Sequence, residues 1–387
     1  MNQRETAKAP LPATPTLRSF VVAEGPALAG LVTTALFYLF QAQLFADLEN
    51  YPLTIALFLW LFGVMMWCSF GVVRHAEAVA AKLGEPYGTL VLTLSVITIE
   101  VALLASIMLH GENNPTLARD AMFATLMIVL NGMVGAALLM GALRYWEQEY
   151  NLEGARAFLV VIAALAVFAL IIPNYTETDP DPSQSPRKAL MFVAITVLFY
   201  IVFLAIQTLR HRAYFDEPKD KHKSPAQHVS AHESTASGSL GFHVVMLLLT
   251  LAPVVLLSES LAVIVDFGIE DLGLPDPLGG VLIAILILAP EGLTAFHAAL
   301  VNHLQRAVNV CLGSALATIG LTIPAVLVIG LVTGREVHLG LNEVETVLLV
   351  LTLFVSGLTF AGGRTNVLQG VVHLLLLVVY VALIFSP

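Results

Sequence analysis

The sequence predicts an all-α integral membrane protein of about eleven transmembrane helices. They are arranged as two inverted-topology five-helix repeats behind one extra N-terminal helix. Three observations predict this class. Of 387 residues, 58% are apolar and only 12% charged, against about 45–50% and about 25% in an ordinary soluble domain. Apolar runs near the roughly 20 residues that a bilayer core requires recur along the chain. Two stretches offset by 191 residues carry the same landmarks. The composition also excludes classes of function. A net charge of −10, with no basic patch interleaved with aromatics, argues against nucleic-acid binding. Cys68 and Cys311 sit in apolar runs without CxxC spacing, so no disulfide framework is expected.

Residues 1–24 are polar and Pro-bearing, without the apolar core and cleavage site of a signal peptide. They read as a disordered cytoplasmic tail. Apolar runs follow at 27–46, 52–73, 87–109, 119–143, 155–173, 188–208, 241–264, 278–301, 307–332, 341–361 and 366–385. Connections are short except at 174–187 and at 209–239. The latter is rich in Ser, Ala, Pro and Lys, and holds or borders His211, His222, His228, His232 and His243. It has no metal-ligand spacing and reads as a disordered cytoplasmic linker. The expected organisation is a tail at 1–24, the first helix with repeat one at 25–208, the linker at 209–239, and repeat two at 240–387.

Basic residues orient the bundle, because cytoplasmic loops of membrane proteins are enriched in Lys and Arg. With the N-terminus inside, only Arg119, Arg187, Lys188 and Arg335 of the 18 Lys and Arg residues face outward. One missed span would scramble that alternation. The C-terminus is then expected outside, in a multi-pass protein of the cytoplasmic membrane. Outer loops carry Asp47, Glu49, Glu177, Asp179, Asp181, Glu270, Asp271 and Asp276, an acidic face that reads most simply as solvated loop charge.

The repeat pairs Pro86, Gly88 and Glu100 with Pro277, Gly279 and Glu291. A looser match sets Glu77 against Glu259. Because each repeat holds five helices, an odd number, the two run in opposite directions, the inverted arrangement of many secondary transporters. Glu100 and Glu291 each fall about fourteen residues into their spans, near the bilayer midplane.

An ionised carboxylate at that depth costs about 2.5–3.5 kcal/mol even on lenient insertion scales. Both acids are therefore expected to face the bundle interior and to be protonated or paired with a cation. Apart from Arg119, Arg156 and Lys188 at the very ends of their runs, no Lys or Arg falls inside any predicted span, so salt bridges at the midplane have no partner residues. Thr89, Thr93 and Glu100 share one helical stripe, a polar path beneath the carboxylate. Ser95 and Thr98 point elsewhere and are expected to bond back to their own helix. Pro290 removes an N–H and is expected to free the Leu286 carbonyl beside Glu291, opening the helix there. Carboxylates with freed carbonyls and hydroxyls suit hard cations such as Ca²⁺ or Na⁺. Asn131, Ser314 and Thr318 on the following helices are candidates to complete the site. Glu77 and Glu259 are candidates for gating or proton relay. His297, off the face of Glu291, reads as packing.

The segments GEPYGTLVLTLSVITIEV, NPTLARDAMFATLMIVLNGMVG and RYWEQEYNLEGARAFL resemble the bacterial ChaA-type calcium/proton (sodium-potassium/proton) antiporters. So does LAPEGLTAFHAALVNHLQRAVNVCLGSALATIGLTIP. The resemblance extends over nearly all the chain beyond the tail and places it in the calcium/cation antiporter superfamily. It implies paired inverted repeats, each with a GNxxE-like motif whose acid binds the exchanged cation. Those acids correspond to Glu100 and Glu291, with Asn131, Ser314 and Thr318 as the polar positions of the next helix. Here Val96 and Ile97, and likewise Ile287 and Leu288, stand where the motif has Gly and Asn. The resemblance thus implies Ca²⁺/proton exchange, with Na⁺ or K⁺ also carried.

The combined expectation is a secondary transporter, with no resident cofactor and with cations, protons and lipid as its partners. A monovalent-cation/proton antiporter is the nearest alternative. A cation channel fits an inverted repeat less well, and an intramembrane hydrolase has neither GxSxG nor HExxH.

Overall fold

A computed structural model describes residues 24–84, 87–110, 115–175, 186–217, 238–275 and 277–385. The expected N-terminal tail and most of the 209–239 linker lie outside them. Eleven helices cross the fold: α1 Gly25–Leu44, α2 Tyr51–Leu83, α3 Tyr87–His110, α4 Leu117–Tyr145, α5 Leu152–Tyr175, α6 Pro186–Arg210, α7 Leu240–Leu272, α8 Pro277–Leu300, α9 Leu304–Thr333, α10 Glu343–Thr359 and α11 Val367–Phe385. Ten are long and apolar enough to span a membrane, and α10 is shorter at 17 residues. Polar side chains start several of them: Asn151 caps α5, Ser239 caps α7, and Asn342 with Glu345 forms a capping box on α10.

Helix lengths carry the repeat. Helices α2 and α7 have 33 residues each, and α3 and α8 have 24 each. Both α4 and α9 contain a π-helical segment, at Ile128–Met133 and at Thr318–Thr322. Contacts between loops agree with helices that alternate in direction. At one end of the bundle Arg74 pairs with Glu24 at 2.8 Å and Gln148 donates to the Ala299 carbonyl at 2.9 Å. There too, two-residue strands, β1 Gln148–Glu149 and β2 Arg364–Thr365, pair antiparallel. At the other end the His338 N–H bonds the Pro115 carbonyl at 2.8 Å, and Arg119 reaches the Gly340 carbonyl at 3.3 Å.

Four helices form the centre. In their most apolar 18-residue windows, 67% of α4 and of α9 is buried against protein, with 56% of α8 and 50% of α3. The corresponding share of α11 is 17%. A side chain that must avoid lipid therefore has its place on α3, α4, α8 or α9.

Three expectations change. Helices α2 and α7 run well beyond the apolar runs at 52–73 and 241–264. The extension of α2 buries His75, Ala76 and Val79 within the bundle, so helix outlasts the purely apolar stretch. The start of the expected linker is built into the fold: α6 ends at Arg210, and Phe215 packs on Phe158 and Phe203 while its carbonyl accepts from Asn309. Finally, α8 continues through Pro290 as α-helix. Irregular backbone occurs instead as π segments, in α4 and α9 and also at Val167–Ile171 of α5 and Ile206–Arg210 of α6, where the helix widens instead of breaking.

Candidate functional site

Glu100 on α3 and Glu291 on α8 come together in the centre of the bundle, close enough for their charges to interact. Glu100 is 2% exposed. Helix α9 serves both carboxylates from positions one turn apart. The Thr318 hydroxyl, at the start of the π segment, donates to Glu100 Oε2 at 3.0 Å. Ser314 faces Glu291. The Thr322 hydroxyl also faces Glu100, a neighbour the sequence reading did not single out. One oxygen of each acid, Glu100 Oε1 and Glu291 Oε2, is buried without a hydrogen-bond partner among the described residues. None of the described Lys, Arg or His residues forms an ion pair with either acid. Buried carboxylate oxygens with neither donor nor counter-charge are satisfied by a proton or a metal cation. Among the described residues no group of three or more His, Cys, Asp and Glu forms a metal cage. Two carboxylates with hydroxyls are the oxygen donor set that hard cations prefer.

A cavity of about 240 Å³ leads to the site. Its walls include Glu291, Ser314 and Thr318, then Thr93 and Tyr200, and toward the bundle end Glu77, Arg306 and Asn309. Twelve residues of α9 separate Arg306 from Thr318, about 18 Å of helix. Thr93 therefore lines the path, as its stripe predicted, while Glu100 lies behind Thr318. The Thr89 side chain is outside the described residues. Ser95 and Thr98 donate to the carbonyls of Val91 and Leu94, at 2.7 and 2.6 Å, as expected of hydroxyls off the stripe. At the opposite face a cavity of about 640 Å³ is lined by Asp120, Glu345 and Tyr380, and neither central acid borders it.

The remaining candidates separate. Glu77 borders the cavity and faces Arg306. Glu259 is half-buried on α7, outside the lining of that cavity. Glu77 lies six residues before the end of α2 at Leu83, Glu259 thirteen before the end of α7 at Leu272. By helix register Asp266, not Glu259, is the counterpart of Glu77. Asn131 is fully buried in the π segment of α4 but turns away from the acids. Its amide nitrogen donates to Thr352 Oγ1 at 3.0 Å, and its oxygen meets His373 Nδ1 at 3.1 Å. His243 leaves the expected linker cluster: it lies in α7 and meets His75 of α2, Nδ1 to Nδ1, at 3.1 Å.

A repeat-built helical bundle with two buried, unpaired carboxylates at its centre calls for comparison with known ion transporters. The chain matches the family described as "Sodium/calcium exchanger protein" over residues 53–209 and 242–386. It belongs to that family. It is 42% identical to the "Putative ionic transporter y4hA" of Sinorhizobium fredii over 335 residues, 86% of this chain and 90% of the relative. To the "Sodium-potassium/proton antiporter ChaA" of Escherichia coli it is 37% identical over 352 residues, 89% of this chain and 92% of that one. Among solved structures, native YfkE superposes with a TM-score of 0.71 at 17% identity, covering 94% of this chain and all of the other. That likeness establishes a shared fold. As a member of the exchanger family the chain is a multi-pass membrane protein and a cation antiporter, not an enzyme.

Proposed function

We propose that this antiporter expels cytoplasmic Ca²⁺, and with it Na⁺ or K⁺, in exchange for external protons, using Glu100 and Glu291 as the shared site. The observation that carries the proposal is the pair of buried carboxylates, each with an oxygen that no group among the described residues satisfies. Such a site holds protons or a cation and excludes a full set of both, which is the minimum requirement for coupled exchange. Thr318 and Ser314 supply neutral oxygens, Thr93 belongs to the access path, and Glu77 stands at its mouth beside Arg306. Glu259, deeper on α7, is retained as a relay candidate. The basic-residue bias puts that mouth and the N-terminus in the cytoplasm and the C-terminus outside, in the cytoplasmic membrane. The conformation is then open inward, and exchange proceeds as one repeat rocks against the other.

A monovalent reading has its own support. The relative at 37% identity is named a sodium-potassium/proton antiporter, while YfkE is described as a Ca²⁺/H⁺ antiporter and shares 17% identity. The test uses everted membrane vesicles with an acidic lumen and a quenched pH-sensitive dye. Adding Ca²⁺, Na⁺, K⁺ or Mg²⁺ in turn is expected to release lumenal protons for Ca²⁺ and for at least one monovalent ion. Release by monovalent ions alone overturns the Ca²⁺ assignment, and saturation of the rate with cation concentration separates exchange from a channel.

A further inference from the structure

The two repeats treat corresponding polar residues differently. Asn131 lies fourteen residues after the start of α4 at Leu117, and Thr318 fourteen after the start of α9 at Leu304; both stand in the π segment of their helix. Thr318 crosses to the acid of the other repeat, Glu100. Pseudo-symmetry would send Asn131 to Glu291, whose Oε2 is the buried oxygen left without a partner. The α4 segment is adjacent, since Met133 packs 3.7 Å from the Cβ position of Gly292. Instead the Asn131 oxygen is held by His373 of α11, a fully buried histidine.

The hydrogen-bond partners assign the protons, with the Leu130 carbonyl of the same π segment a second acceptor for the His373 ring. Met127 Sδ, an acceptor only, lies 3.6 Å from Asn131 Nδ2, and Thr352 Oγ1 accepts from the same nitrogen. The carboxamide oxygen therefore faces His373, so Nδ1 carries the proton and donates. Nε2 then accepts from the Thr359 hydroxyl at 3.0 Å. The register is rigid. A Cβ on Gly370 would stand 2.6 Å from the Leu139 backbone nitrogen, and one on Gly135 would stand 3.0 Å from His373 Cβ. The backbones of α4 and α11 thus touch where the histidine sits. Helix α6, the counterpart of α11, has no histidine and places Phe192 at the equivalent seventh position.

We propose that His373 is a positioning residue for cation selection, holding the Asn131 carboxamide oxygen away from Glu291 and so removing one neutral ligand from the site. The proposal rests on the two-carboxylate reading given above. A divalent cation, which takes six to eight oxygen ligands, loses more from a withheld oxygen than a monovalent one does.

The test measures apparent KM for Ca²⁺ and for K⁺ in everted vesicles for wild type, His373→Leu, His373→Asn, Asn131→Ala and the Asn131→Ala/His373→Leu pair. His373→Leu fills the space and frees Asn131. It is expected to lower the Ca²⁺ to K⁺ ratio of KM roughly three- to tenfold, the weight of one buried hydrogen bond. If wild type exchanges only K⁺, Ca²⁺-driven proton release is expected to appear in His373→Leu. His373→Asn retains a donor near the Nδ1 position and should keep the wild-type ratio. In the Asn131→Ala background, His373→Leu should leave the ratio unchanged. A ratio within twofold of wild type in His373→Leu, or the same shift without Asn131, overturns the proposal. Should His373→Leu fail to fold, a ratio shifted more than twofold in Asn131→Ala does the same, because a carboxamide withheld from the site contributes nothing to it. Failure of wild type to exchange any cation for protons would instead defeat the two-carboxylate reading.

Discussion

Thr318→Val is the sharpest probe of the site. Thr318 is 3% exposed and its hydroxyl donates to Glu100 Oε2 at 3.0 Å. Valine reproduces its volume, so the substitution removes a hydrogen bond and little else. A hydrogen bond to a charged group is worth about 1.5–3 kcal/mol, which at 25 °C is a factor of roughly 10 to 150. That stabilisation belongs to the ionised carboxylate, because a protonated Glu100 gains far less from a donor. Cation binding requires the ionised form, so the apparent KM for the exchanged cation is expected to rise by about that factor. The maximum rate at saturating cation should fall much less. Thr318→Ser keeps the donor and should stay within about threefold of wild type. The assay is dye dequenching in everted vesicles across a range of cation concentrations, normalised to protein content. A Thr318→Val KM within twofold of wild type would refute the geometry, because the Thr318–Glu100 bond would then contribute nothing to cation binding.

Four further outcomes are expected. Glu100→Gln and Glu291→Gln should each abolish exchange while the protein accumulates at normal levels, and wild-type dye recovery in either would remove that residue from the site. Because protons and cation share the carboxylates, lowering the pH should raise the apparent KM for the cation far more than it lowers the maximum rate; a KM flat across the active pH range contradicts a shared site. In Gly280→Ala the new Cβ would lie 2.6 Å from the Ala121 backbone nitrogen, where α8 meets α4. Such overpacking costs about 1–3 kcal/mol, and an unchanged melting temperature in detergent would show that the two helices are not in that contact. A cytoplasm-active reporter fused after Pro387 should stay silent, and a bright one would invert the proposed sidedness.

The sequence alone determined what hydrophobic burial and charge decide. Apolar length set the helix count, and the structure has eleven helices. The two acids were legible for an electrostatic reason. A carboxylate deep in an apolar run has no tolerable place but the interior, and the sequence provides no Lys or Arg to neutralise it. Backbone chemistry at Pro290 was a weaker guide, since a helix tolerates one missing N–H when its neighbours pack closely, and α8 stays unbroken. Asn131 shows where local pattern stops. Its position beside the acids follows from the repeat, but the direction of its side chain depends on Thr352 and His373, both more than 200 residues away. Only tertiary packing decides which of two competing partners a buried carboxamide takes. The same is true of α9, which serves both carboxylates: nothing in the periodicity of GSALATIGLT distinguishes hydroxyls aimed at two acids from small residues at a helix contact. That choice is made by the π segment and by the helices that crowd around it.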